Sequence, residues 1–108
     1  MVGGIAGGIP GPPHHPGAPR SGVAVATAAA EDSDTMAHIV AHEMGHFLGL
    51  SHTAEMFGIG DNLRDTPEGD RGQSNLMYFT AGSDSRLTPD QTFVMHNSPC
   101  LVPVEVDR

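Results

Sequence analysis

The sequence predicts an α+β fold, in which a short sheet packs on one long helix and a largely irregular lower part ends in a second helix. Residues 22–28 are apolar and rich in β-branched side chains, and an acidic turn separates them from a segment with apolar residues at helical spacing. Residues 87–97 carry a helix start signal and precede a proline. These patterns place strand before helix in an α/β upper part.

The composition limits the size of the core and the class of partner. The chain of 108 residues is at most one domain, and Leu, Ile, Val and Phe make up only about a fifth of it. The hydrophobic core is therefore small, and we expect the fold to need a further source of stability. Five arginines face thirteen acidic residues, for a formal net charge of −8, which argues against nucleic acid as a partner because phosphate binding requires a basic surface.

The first 21 residues are predicted to form an edge strand and a loop of the same domain as residues 22–108. Residues 2–9 carry a few apolar side chains among four glycines, and residues 10–19 are rich in Pro, Gly and His. The motif GxxxxGK[ST] is absent, so a phosphate-binding loop is not indicated. No apolar run is long enough to span a membrane, and the N-terminus lacks the basic and apolar regions of a signal peptide.

Residues 22–28 are interpreted as a buried strand, because their apolar character is nearly continuous rather than alternating. The acidic residues that follow are suited to the start of a helix, where negative charge is favourable. The helix is predicted over residues 35–48.

The end of this helix carries the sequence His-Glu-Met-Gly-His-Phe-Leu-Gly-Leu-Ser-His, residues 42–52, which reads HExxHxxGxxH. His42 and His46 are four residues apart, so both imidazoles lie on one helix face and can reach one zinc ion. Gly49 can adopt a positive φ, which allows the chain to turn and bring His52 to the same metal. Three ligands leave a fourth position open for water, and Glu43 is the candidate general base.

The other histidines and the single cysteine are further candidate ligands. His38 lies one turn before His42, but His38 and His46 are about 12 Å apart along the axis at ~1.5 Å per residue, so His38 is assigned to a supporting or core position. A closed site with His14, His15 or His96 as fourth ligand is the alternative to an open one. The lone Cys100 excludes a cysteine-rich site, and nothing in the sequence brings it to the metal.

The segment after His52 is predicted to be a long loop over residues 53–75. Its carboxylates, Asp61 and Asp65 first among them, are candidate calcium ligands, although their spacing is not that of an EF-hand. The alternative is that they form the turns and caps that a long loop requires, a role that suits Asp-Thr-Pro at 65–67.

The C-terminal part begins with an apolar island at residues 76–79. The second helix, over residues 87–97, has Thr88 as its cap, Pro89 at its first position and Gln91 as the partner in a capping box. Pro99 ends it, and residues 101–106 are at best an edge segment because Pro103 interrupts them.

The HExxHxxGxxH motif together with Asn-Leu-Met-Tyr at 75–78 resembles the metzincin clan of zinc endopeptidases. Leu-Met-Tyr is similar to matrixins, whereas His52-Thr53 and the loop with Asp-Thr-Pro are similar to pappalysin-like enzymes. The resemblance implies zinc held by the three motif histidines, Glu43 as the catalytic residue and Met77 in the turn beneath the metal. Phe79 stands where astacins and serralysins have a tyrosine, so Tyr78 is a candidate substrate contact and not a ligand.

The same resemblance implies a mixed sheet, protein or peptide substrates bound along the edge strand, and an extracellular or cell-envelope location. Metzincins place several strands before the active-site helix, so we expect either the C-terminal part of a longer catalytic domain or a reduced one that completes its sheet by association. An exposed sheet edge predicts self-association. The alternative function is an inactive zinc-binding fragment or module that requires a partner or an upstream segment.

Overall fold

The computed structural model describes residues 4–12, 22–27, 32–53, 61–67, 69–79 and 85–101. Its elements in chain order are strand β1 (Gly4–Ala6), strand β2 (Val23–Val25), helix α1 (Ser33–Phe47), a 3-10 helix (Gly69–Ser74) and helix α2 (Pro89–His96). The two strands pack on α1, which confirms the predicted α+β fold. Within the described ranges no helix is long and apolar enough to cross a membrane.

The sheet between β1 and β2 is antiparallel, with Gly4 opposite Val25 and Ala6 opposite Val23. A strand is present within the predicted range 22–28, but it has three residues, and the prediction that it is buried is wrong: Ala24 at its centre is exposed and the flanking valines are partly buried. One face of this sheet packs on α1 and the other faces outward, so the burial alternates. In the part of the chain that the structure describes, each strand has one edge without a partner strand.

Helix α1 begins two residues before the predicted start and ends one residue before the predicted end. Asp32 is its cap, and the Asp32 carboxylate accepts a hydrogen bond of 2.7 Å from the Thr35 amide. This bond, with a further one from the Thr35 hydroxyl, lowers the pKa of Asp32 below its ordinary value. The acidic turn therefore acts as predicted from the preference of helix N-termini for negative charge.

Helix α2 confirms the predicted cap: Thr88 accepts from the Gln91 amide, Gln91 bonds back to Thr88, and Pro89 opens the helix. The buried apolar cluster lies between the end of α1, the island at 76–79 and α2. Its members are Leu50, Leu76 and Met77, with Leu63, Val94 and Met95 packed against it. The core thus lies directly beneath the motif histidines. Of the predicted edge segment 101–106, only exposed Leu101 lies within the described residues.

Candidate metal centre

The three motif histidines converge at the C-terminal end of α1. His42 and His46 lie one turn apart on the helix, and the chain reverses at Gly49, whose φ of 113° matches the predicted positive value. The Leu50 amide donates to the Gly45 carbonyl at 2.9 Å, which holds the reversal. As a result His52 Nε2 lies 3.2 Å from His42 Nε2 and 3.0 Å from His46 Nε2.

The outer nitrogens of two of these rings face backbone carbonyls. His42 Nδ1 lies 2.7 Å from the Leu76 oxygen, and His46 Nδ1 lies 2.7 Å from the Leu50 oxygen. Since a carbonyl oxygen only accepts, both Nδ1 atoms carry the proton in the neutral rings, and both Nε2 atoms present lone pairs. His52 Nε2 faces both of these lone pairs and can donate at most one proton, to one of the two. At least one lone pair then faces another nitrogen without a proton between them, and a bound cation would relieve this repulsion.

The donor set fits zinc. Three imidazole nitrogens lie within 4.8 Å of one another. In a tetrahedral site with Zn–N distances of about 2.0–2.1 Å, two ligand nitrogens are about 3.3 Å apart, and the Nε2–Nε2 distances of 3.2 and 3.0 Å are close to this value. Burial lowers the pKa of His42, and His46 adds to this, while the Leu76 carbonyl and Glu43 act in the opposite direction. The neutral ring, which is the form that binds metal, is thereby favoured.

Glu43 is 7% exposed and lies beneath the first strand. A Cβ on Gly4 would lie 2.8 Å from Glu43 Cγ and 3.3 Å from Glu43 Cδ, so β1 packs directly on this side chain. Gly4 does not adopt a positive φ, and glycine is therefore required here for close approach and not for backbone conformation. The strand limits the positions available to the carboxylate.

If Glu43 is the catalytic residue that the metzincin resemblance implies, Gly4→Ala should displace its carboxylate and lower kcat by about 10²-fold, the cost of a ~1 Å misplacement, with zinc content unchanged. Ala24→Ser is the control, because Ala24 lies in the paired strand β2, outside the proposed peptide-binding strand, and is exposed. A Cβ on Gly4 would also lie 3.0 Å from the Ala24 carbonyl oxygen, so both variants are compared for thermal stability with and without Glu43→Ala. Equal destabilisation by Gly4→Ala in both backgrounds would assign the effect to strand pairing and refute a role for Glu43.

Met77 is fully buried under the C-terminal half of α1. A Cβ on Gly45 would lie 2.5 Å from Met77 Sδ, so the sulfur packs against the helix backbone between the two helical histidines. The Met77 carbonyl accepts from the Thr53 amide at 3.0 Å, next to His52. Tyr78 is also buried, and its ring centroid lies 4.7 Å from that of Phe79. The contact of Tyr78 with substrate stays a prediction.

The candidate calcium ligands are engaged in loop structure instead. Asp61 Oδ1 accepts from the Leu63 amide at 3.2 Å and from the Thr66 hydroxyl, and Asp65 Oδ2 accepts from the Asp90 amide at 2.9 Å. These are the turn and cap contacts of the alternative interpretation, so the structure does not support calcium at these carboxylates.

The remaining candidate ligands lie elsewhere in the fold. His38 is buried and lines a cavity with Asp34 and Ser85, and His96 is exposed at the end of α2; neither belongs to the histidine cluster of the described chain. The Cys100 thiol faces the Gly11 and Pro12 carbonyls at 3.5 and 3.8 Å, which gives no support to a thiolate ligand. His14 and His15 lie outside the described residues.

Sequence reasoning located the three histidines but missed the groups that orient them. The carbonyls of Leu50 and Leu76 and the close approach of Gly4 carry no residue-type signature, because any residue supplies a carbonyl. Only the glycine in a strand was a usable signal, since glycine within a strand often marks a close contact.

A helix that carries two histidines, a glycine turn that brings a third histidine to them and a buried methionine fit the zinc-binding motif of the metzincin clan. The chain belongs to the Peptidase M43 family, described as pregnancy-associated plasma protein-A, whose sequence model matches residues 18–98. Comparisons with curated proteins and with solved structures gave no match. The family implies a zinc metallopeptidase that acts on peptide substrates.

Proposed function

We propose that this chain is a zinc-dependent endopeptidase in which His42, His46 and His52 hold the metal and Glu43 is the catalytic residue. This proposal rests on the three Nε2 atoms that lie close together. Two of them, on His42 and His46, present lone pairs, because the Nδ1 atoms of these rings donate to backbone carbonyls. Membership of the Peptidase M43 family supports peptide hydrolysis as the reaction.

The chain's own residues supply proton transfer and positioning. Zinc, when bound, supplies a Lewis acid that polarises the scissile carbonyl and makes water acidic enough to attack near neutral pH. The Glu43 carboxylate accepts the proton of the attacking water and delivers it to the leaving amine nitrogen. The contact with Gly4 restricts the carboxylate, and the Leu76 and Leu50 carbonyls keep His42 and His46 in the tautomer that carries its proton on Nδ1 and its lone pair on Nε2.

The free edge of β1 is the proposed binding surface for an extended peptide. Gly4–Ala6 uses one edge to pair with β2 and lies next to Glu43, so a peptide paired on the other edge would pass close to the metal centre. The substrates proposed are extracellular or cell-envelope proteins or peptides, in keeping with the family.

A second candidate function is a zinc-binding module that turns over substrate only with a partner or an upstream segment. The two-stranded sheet of the described residues and its exposed Ile5 favour this alternative, because a partner could pair with a sheet edge and a second layer could cover the outward face. Self-association through a free edge would serve the same purpose. Active enzyme at the size of a monomer would exclude it.

Removal and return of metal test the proposed function. The chain is expected to cleave a casein-like substrate, to lose this activity in a zinc chelator, and to regain it with zinc but not with calcium alone. Failure of the zinc-loaded chain to cleave, with zinc bound at one equivalent, would favour the module over the enzyme. Full activity in the chelator, with zinc shown to be removed, would refute both.

A further inference from the structure

The peptide group between Leu76 and Met77 is held at both of its polar ends. Its carbonyl oxygen, on Leu76, lies 2.7 Å from His42 Nδ1, and its amide, on Met77, donates to Asn75 Oδ1 at 2.9 Å. Since a peptide group is planar and its C=O and N–H point in opposite directions, fixing the N–H also fixes the direction of the C=O. The Asn75 side chain therefore determines how the Leu76 carbonyl meets the zinc ligand.

The Asn75 side chain is held in turn by Gln91, from helix α2. Asn75 Nδ2 donates to Gln91 Oε1 at 2.8 Å, and Gln91 Nε2 donates back to Asn75 Oδ1 at 2.9 Å. Gln91 is fully buried and Asn75 is 4% exposed, so both bonds are shielded from water. A buried reciprocal amide pair of this kind loses both bonds when either member is replaced.

The orientation of both amides is determined by backbone donors at the two ends of the pair. Gln91 Oε1 also accepts from the Thr88 amide at 2.9 Å, and Asn75 Oδ1 also accepts from the Met77 amide. Rotating either amide by 180° would bring an NH₂ group against a backbone N–H, donor against donor. The cap of α2 is thereby linked through two side chains and one peptide group to His42.

We propose that Asn75 and Gln91 are a positioning pair that holds the Leu76 carbonyl on His42 Nδ1, and so sets the tautomer and ring orientation with which His42 binds metal. This inference rests on the metal centre of the proposed function. It assigns to Gln91 a role beyond the capping box. The competing interpretation is that the pair only ties α2 to the loop, in which case its loss would lower stability without a specific effect on the metal.

Gln91→Met tests the pair, because methionine keeps the volume and removes all three side-chain hydrogen bonds, the two with Asn75 and the one from the Thr88 amide. The matched control is Asn97→Ala, which removes an exposed hydrogen bond of 2.8 Å to the Phe93 carbonyl at the other end of α2. Zinc affinity is measured by competition with a chromophoric chelator, alongside thermal stability. Gln91→Met is expected to bind zinc about 10–100-fold more weakly, as for other residues that orient a metal ligand, and Asn97→Ala to bind it as the wild type does.

The His42 Nδ1–H signal in the nitrogen-15 NMR spectrum of the zinc-loaded protein is the second readout. We expect it to shift and to exchange faster with solvent in Gln91→Met and to be unchanged in Asn97→Ala. Should Gln91→Met not fold, the double variant Asn75→Leu with Gln91→Met serves instead, because replacing both members of the pair by apolar side chains of similar size leaves no unpaired buried side-chain amide. Unchanged affinity and an unchanged signal, or equal loss of affinity in Asn97→Ala, would overturn the proposal. Absence of zinc binding by the wild type would instead refute the proposed function.

Discussion

His46→Ala is expected to abolish specific zinc binding and, with it, peptide hydrolysis. His46 Nε2 lies 3.0 Å from His52 Nε2, and its ring is held by the Leu50 carbonyl, so its loss leaves two imidazoles and no closed set of three. The loss of affinity should exceed the roughly 10–100-fold cost of replacing a residue that only orients a ligand. Because metal binding contributes to the folding of small metal-binding domains, the thermal midpoint should fall as well.

His96→Ala is the control for this substitution, because it also replaces a histidine by alanine but lies exposed at the end of α2. Zinc content by elemental analysis, zinc affinity by competition and the thermal midpoint are measured for both variants. His46→Ala with wild-type zinc affinity, or His96→Ala with the larger loss, would contradict the assignment of the ligands.

Glu43→Gln is expected to lower kcat by about 10²–10⁴-fold, the usual contribution of a general acid–base residue, while zinc affinity is kept. Glutamine has almost the same shape as glutamate, so it preserves the contact with Gly4 and changes only the capacity to accept a proton. The loss should therefore appear in kcat more than in KM, because substrate binding along β1 is unaffected.

The comparison is made between wild type, Glu43→Gln and Glu43→Ala at equal zinc content, with a fluorogenic peptide derived from a casein-like substrate. Glu43→Ala should be as inactive as Glu43→Gln, since both lack the carboxylate. Equal kcat in wild type and Glu43→Gln would mean that another group moves the proton, and the proposed mechanism would be wrong.

Both helices could be predicted from sequence because their signals are local. Thr88, Pro89 and Gln91 lie within one turn and specify the start of α2 without reference to the rest of the chain. The acidic residues before α1 indicate its start to within two residues, and the structure identifies Asp32 as the cap. The convergence of the motif histidines could also be predicted from the sequence, because helical spacing and one glycine suffice to bring them together.

The errors arose where the outcome depends on distant contacts. The burial of β2 is set by how many elements cover the sheet, and Ala24 is exposed because one face of that sheet packs on α1 and the other faces outward. Asp61 and Asp65 have the residue type of calcium ligands. The partners of Asp61 lie in an adjacent turn, as the alternative interpretation predicted, whereas Asp65 accepts from an amide 25 residues away in α2, which spacing alone cannot identify.

The supporting groups of the metal centre were outside the reach of sequence reasoning for a different reason. The carbonyls on His42 and His46 come from backbone, and the reciprocal pairing of Asn75 with Gln91 joins two common residue types across 16 positions. Only a structure shows that Gln91, a capping residue of α2, is also hydrogen-bonded to Asn75, next to the Leu76 carbonyl that faces His42.

Zinc K-edge X-ray absorption of the zinc-loaded chain distinguishes an open centre with three histidines from a closed one. We expect nitrogen and oxygen scatterers at about 2.0–2.1 Å, with the multiple-scattering pattern of three imidazole rings and no sulfur. A sulfur scatterer at about 2.3 Å, from Cys100 for example, or the pattern of four imidazoles in a closed site, would contradict a three-histidine centre with an open catalytic position.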